Sequence, residues 1–373
     1  MSGPGGRVPD DDEGCDPANL SLARKEGWSK AVYAPRREQP RSVGTAELKR
    51  MAEEDLAIYN RSRRVWHANL GPIGTPQLTE LHEDLWDIVE SNQHDGDKAK
   101  GMIALDALAG LGKSTAALTF AMALHRREIA ENGRLTRQGH ERHPVCRISL
   151  SGNTGLKELN RALMEFFGHP GSRRGTSAEV QHRALDCALS CECRLLVFDE
   201  LHFLKGRSTG ALEVSNQFKT IANDFPVTVL MIGIDLASLG LLGDGGGRAA
   251  LDQTARRTTR LTMAPFDISS ERGRAEWRSM LLALEQRIVL AEKFPGMLAD
   301  ELAGYLFARC TGHIGSLMTL INRGCQRAMR TGTERLDRDL MDLVKNDDGA
   351  ELARKELEAA LAAGRISTRA RRA

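Results

Sequence analysis

The chain has 373 residues, of which 27% are charged and 41% hydrophobic, and its formal net charge is only +2. These totals describe a globular protein with room for two domains, and they exclude a polycationic chain or a disulfide-stapled miniprotein. No run approaches the roughly 18–20 apolar residues of a membrane span. The start from Met1 to Glu13 is acidic and Gly/Pro-rich, unlike a secretory signal, so a cytoplasmic location and reduced thiols for the seven cysteines are expected.

Residues 1–44 are polar, Pro/Gly-rich and aperiodic, which predicts disorder. Residues 45–95 read as a helical extension. Leu48, Met51, Leu56 and Tyr59 share one face, and Arg61-Ser62-Arg63-Arg64 follows, with Trp66 and His67 directly after. Arg61, Arg63 and Arg64 beside an aromatic suit either a nucleic-acid backbone or a solvated helix face. Ile73-Gly74-Thr75-Pro76 is a turn in which Thr75 caps a helix and Pro76 occupies its first position. That helix runs through Leu78, Leu81, Leu85, Ile88 and Val89.

Residues 96–267 alternate strand and helix, the pattern of an α/β core with a parallel sheet. The apolar run Met102–Leu105 leads into Asp106-Ala107-Leu108-Ala109-Gly110-Leu111-Gly112-Lys113-Ser114-Thr115, and a strong helix former, Ala116–Leu124, comes next. Strand, glycine-bearing loop, Gly-Lys-Ser and helix together predict a phosphate-binding loop. Gly110 and Gly112 let several N–H groups converge on one anion, and the positive end of the helix adds to that field. Ala109, Gly110, Leu111, Gly112, Lys113, Ser114 and Thr115 are therefore expected to hold a nucleoside triphosphate. Lys113 reaches the β- and γ-phosphates, and Ser114 offers its hydroxyl to Mg²⁺. The first glycine of the usual pattern is Ala107 here, which serves if its φ stays negative.

A strand at Val145–Leu150 and a helix near Leu156–Phe167 precede a basic loop, Gly168–Gly175, that carries Arg173 and Arg174. After a helix over Ala178–Leu189, Arg194-Leu195-Leu196-Val197-Phe198-Asp199-Glu200 is a buried parallel strand delivering two carboxylates to a site. Asp199 is expected in the Mg²⁺ shell, and Glu200 is placed to orient or deprotonate the attacking water. Cys187, Cys191 and Cys193 near His182 invite a zinc site, but their spacing contains no C-x₂-C pair, and buried free thiols account for them better.

Val227–Gly233 is the fourth strand. Ile234 sits where a polar residue between the two motifs is wanted, with Asp235 the nearest candidate. Arg256 and Arg257 precede a strand at Thr258–Met263, where they either reach into a neighbouring subunit's site or form a surface pair. Residues 268–346 turn wholly helical, with Trp277, Met280, Leu281 and Leu284 at helical spacing. Residues 347–373 read as a further helix and a basic tail.

The combined order resembles AAA+ ATPases, and within them the TniB/TnsC-type transposition proteins. The features are Ile73-Gly74-Thr75-Pro76, Leu108 to Ser114, Phe198-Asp199-Glu200-Leu201-His202, the segment Asp252-Gln253 to Arg257, and Thr311-Gly312-His313-Ile314-Gly315 opening a lid helix. The resemblance spans roughly residues 70–344. It implies an α/β P-loop AAA+ αβα core followed by a helical lid, with ATP and Mg²⁺ as cofactors. It further implies a homo-oligomeric ring or filament on duplex DNA that recruits a DDE transposase. Arg61, Arg63, Arg64, Arg173 and Arg174 are the candidate DNA contacts. Three alternatives stay open: a helicase-loader-like protein, a signalling NTPase, and a nucleotide-gated scaffold that hardly hydrolyses. Ala107, Ile234 and the lack of an arginine beside Gly315 bear on the last of these.

Overall fold

The computed structural model describes residues 21–94, 100–149, 156–201, 218, 220–222, 225–236 and 257–369. Five parallel strands form one sheet: β1 (Met102–Asp106), β2 (Val145–Ser149), β3 (Leu195–Asp199), β4 (Thr228–Gly233) and β5 (Thr258–Thr262). Their order is β2-β3-β4-β1-β5. The strands read from apolar runs fall at the expected places, and β1, β3 and β4 are buried along their whole length, as central parallel strands must be. β4 lies between β3 and β1, so the carboxyl ends of β1 and β3 open onto one crevice flanking β4.

Among the described residues up to 190, seven helices accompany the sheet: α1 (Lys25–Tyr33), α2 (Thr45–Leu48), α3 (Glu53–Ala68), α4 (Pro76–His94), α5 (Lys113–Asn132), α6 (Leu156–Phe166) and α7 (Ser177–Ser190). α4 begins as its sequence predicts: Pro76 is its first residue, and Thr75 Oγ1 accepts from Leu78 N at 3.2 Å. Its Leu81, Leu85 and Val89 join the core beside Phe120 and Leu124 of α5. Beyond the sheet come α8 (Glu271–Arg287), a π-helical turn (Met297–Glu301), α9 (Ala303–Cys310), α10 (Ile314–Thr331), α11 (Arg338–Asp342) and α12 (Asp348–Ala362). They enclose a second core around the fully buried Trp277.

Two expectations for the amino-terminal part need correction. Residues 21–44 are not a disordered leader, because α1 buries Trp28 and Val32 against the sheet domain. Trp28 Nε1 donates to His125 Nδ1 at 3.1 Å, and Lys25 pairs with Glu141 at 2.7 Å. One tryptophan removes enough apolar area from water to anchor a segment whose average composition is polar. The second correction concerns α3, which packs on α10 and not as a solvated rod. Arg63 is 1% exposed and bound at both guanidinium nitrogens by Glu334, so it is a structural cation and not a DNA contact. Arg61 and Arg64 are exposed.

Two buried histidines tie these amino-terminal helices down as hydrogen-bond acceptors. His67 Nε2 accepts from Val289 N at 3.0 Å, and His125 accepts from Trp28. Burial, reinforced by Arg63 and Lys293, pushes His67 down to about 4. Burial, with His143 and Arg126, pushes His125 down to about 4 as well. The unfolded chain titrates near 6.5 and so binds more protons than the folded chain as pH falls. These rings thus contribute stability in full above 6.5, and the contribution is lost as pH drops through about 4. Each is expected to cost roughly 3 kcal/mol when fully titrated. Thermal melts between about pH 7.5 and 4.5 should show the fall, with a shallower slope in His125→Gln. A flat melting temperature across that window contradicts it.

Candidate nucleotide site

The loop after β1 turns twice through left-handed glycines, Gly110 at φ +75° and Gly112 at φ +83°. Gly112 caps α5, so Lys113 is the first helical residue. Ala107 keeps a negative φ and donates its N–H to Gly233 O at 3.3 Å, so the alanine meets the turn's requirement without strain. Lys113 Nζ donates to Ala107 O and Leu108 O, each at 2.6 Å, and is held across the mouth of the loop. Burial pulls its ammonium below the ordinary lysine value, while the carboxylates of Asp106 and Asp199 pull it back up.

Asp199, at the carboxyl end of β3, meets this loop. Its Oδ1 accepts from Ser114 Oγ at 3.1 Å and from Glu200 N at 3.0 Å. Glu200 is exposed and sits at φ +65°, a conformation rarely adopted by residues with a side chain. A hydroxyl and a carboxylate converging at the edge of an anion-binding loop suit a hard cation such as Mg²⁺, which completes its shell with phosphate oxygens and water. Among the described residues no group of three or more His, Cys, Asp or Glu is placed to hold a metal. Cys187, Cys191 and Cys193 are free thiols, and burial raises all three above the ordinary value.

Two arginines that sequence reasoning passed over complete the electrostatics. Arg147 on β2 pairs with Asp199 Oδ2 at 2.9 Å, and Arg260 on β5 pairs with Asp106 Oδ2 at 2.7 Å. The available signal was a single arginine inside each segment read as a strand, Arg147 in Val145–Leu150 and Arg260 in Thr258–Met263. Asp235, just past β4, takes φ +53° beside this crevice. Arg257 precedes β5, and its carbonyl accepts from Met102 N at 2.8 Å, which places it at the end of the sheet opposite the loop. Arg256, His202, Asp252 and Gln253 lie outside the described residues.

The lid closes over the loop. Thr311-Gly312-His313 leads into α10 as the sequence predicts, and Gly315 N donates to Gly110 O at 2.8 Å. A Cβ on Gly315 would lie 2.8 Å from that same oxygen, so no side chain fits there without moving the loop. Between the loop, the segment from Asn69 to Leu78 and the lid lies a cavity of about 460 Å³, whose walls include Ile73, Leu78, Leu111, Met122, Met263 and Met318. Arg173 is 86% exposed and lies 3.7 Å from Glu165, in the loop between α6 and α7, and is not among the residues that line this cavity.

Residues 95–237 match the family model described as an AAA domain. Among solved structures, the ORC2 protein of Aeropyrum pernix in its ADPNP–ADP complexes aligns with a TM-score of 0.56 at 14% identity, covering 80% of this chain and 72% of that chain. The ADP form of the same protein aligns with a TM-score of 0.52 at 14% identity, covering 75% and 71%. No protein of curated function matches the chain. The match to an AAA domain over residues 95–237 and the likeness in fold agree with the five-stranded parallel sheet: the chain has a P-loop αβα fold of the AAA+ type with a helical carboxyl-terminal region.

Proposed function

We propose that this chain is an ATP-dependent DNA-binding regulator of the TniB/TnsC kind, which assembles as an oligomer on duplex DNA and recruits a DDE transposase. The observation that carries nucleotide binding is the convergence of Lys113, Ser114 and Asp199 at the carboxyl ends of β1 and β3. Around it, the loop N–H groups and the start of α5 receive the phosphates. The apolar cavity beside the loop is large enough for a nucleobase. Mg²⁺, held by Ser114 and Asp199, would neutralise charge developing on the phosphates. Glu200 accepts the proton of the attacking water at its carboxylate. Arg257 is too far along the sheet to serve its own site, so it or Arg256 would act in a neighbouring subunit.

The transposition part of the reading rests on the sequence resemblance across residues 70–344. A second reading, a nucleotide-gated scaffold that hardly hydrolyses, is favoured by the lid contact at Gly315, which leaves no space for an arginine side chain at that position. The test is ATP turnover with and without duplex DNA, beside Glu200→Gln. In a working ATPase, duplex stimulates turnover and Glu200→Gln traps an ATP-bound oligomer, with turnover lowered by about a hundredfold or more. Tight ATP binding, negligible turnover in either condition and no effect of Glu200→Gln would establish the scaffold. Turnover indifferent to DNA would point to a signalling NTPase.

A further inference from the structure

The helix that touches the nucleotide loop carries a row of cations at its other end. Arg323, Arg327 and Arg330 are spaced four and three residues apart on α10, steps of about 6 and 4.5 Å along one face. With Lys345, Gln326 and Leu343 they line an open groove of about 650 Å³ between α10, the end of α3 and the segment after α11. Gln326 Nε2 donates to Arg64 O at 2.8 Å, which brings the exposed Arg64 to the rim, with Arg61 one turn before it on α3. Arg323 donates to Lys345 O and Arg327 to Leu343 O, each at 2.8 Å, so two guanidinium forks are fixed in place, that of Arg323 exposed and that of Arg327 half-buried. None of these six cations forms an ion pair with a carboxylate among the described residues.

We propose that this groove is the duplex-DNA surface of the protein, an assignment that rests on the DNA-binding reading above and gives it a location. A line of oriented guanidinium groups suits a polymer with regularly repeated phosphates, each taken by charge-assisted bidentate bonds. The groove also explains how ATP would control DNA binding. α10 is one helix of 18 residues, and its first turn is hydrogen-bonded to Gly110 of the phosphate loop. Any shift of the loop on nucleotide binding moves the helix, and Arg323, Arg327 and Arg330 move with it.

The experiment is fluorescence anisotropy of a labelled duplex of about 30 base pairs, titrated with full-length protein plus ATP at several salt concentrations. Arg323→Glu/Arg327→Glu/Arg330→Glu is expected to weaken binding at least about tenfold and to flatten the log–log salt slope by about 2 to 3. The milder Arg323→Gln/Arg327→Gln/Arg330→Gln, checked for an unchanged melting temperature and ATP affinity, should move both quantities the same way. If wild-type protein binds duplex and both triple variants bind equally well, the groove is not the DNA surface. Loss confined to Arg173→Glu/Arg174→Glu would place DNA on the loop between α6 and α7 and overturn the assignment. If wild-type protein binds no duplex, the DNA reading itself falls, and the groove assignment falls with it.

Discussion

Lys113→Ala is expected to abolish ATP turnover and to weaken nucleotide binding by about a hundredfold. The ammonium is half-buried, and two of its three donors are already committed to Ala107 O and Leu108 O at 2.6 Å. The side chain is therefore ordered without a ligand, and one donor and the charge remain available to a bound phosphate. A charge-assisted hydrogen bond in such a site contributes roughly 3 kcal/mol, and the loss grows as negative charge develops on the transferred group. Lys113→Arg should not rescue the activity, because a planar fork cannot make both carbonyl bonds and still present a compact charge. Titration with a fluorescent ATP analogue, together with phosphate release, checks both statements. Turnover above about a tenth of wild type in Lys113→Ala would show that the loop backbone alone suffices.

What could be read from the sequence follows the length scale of the interactions. The phosphate loop, the Asp199-Glu200 strand end, the α4 cap at Thr75-Pro76 and the lid turn at Gly312 were legible, because each is encoded within about ten contiguous residues. Apolar runs also identified the central strands β1, β3 and β4, since burial leaves its mark on every residue of a short strand covered on both faces. Other features depend on partners far away in the chain. Arg63 reads as one member of a solvated basic run until Glu334, 271 residues on, is seen to neutralise it. Arg147 and Asp199 lie 52 residues apart and meet only because β2 and β3 are neighbours in the sheet. Trp28 sits in a stretch whose composition predicts disorder, and one buried aromatic does not shift a compositional average. Pattern reports which face is covered, but not what covers it.

Arg63→Ala is expected to destabilise the protein by roughly 3–5 kcal/mol, among the largest losses a single substitution here can cause. Arg63 and Glu334 are 1% and 5% exposed, with Nη1 to Oε2 at 2.6 Å and Nη2 to Oε1 at 2.9 Å. The guanidinium also donates to Asn60 Oδ1 and lies 4.8 Å from the Tyr59 ring centroid. Glu334 holds more than this arginine: it accepts from Ala291 N at 3.0 Å and turns the chain at φ +53°. Removing Arg63 leaves a carboxylate buried against α3 with no cation, so Glu334 must take up a proton or pull the helix open. A paired replacement, Arg63→Met with Glu334→Gln, should restore most of the loss, because the cost lies in the unpaired charge and not in the absence of the pair. Arg61→Ala and Arg64→Ala, both at exposed positions, should stay within about 0.5 kcal/mol of wild type. Urea titrations of the four variants separate these outcomes. If Arg63→Ala kept full stability and instead flattened the salt dependence of DNA binding, Arg63 would be a phosphate contact and its pairing with Glu334 incidental.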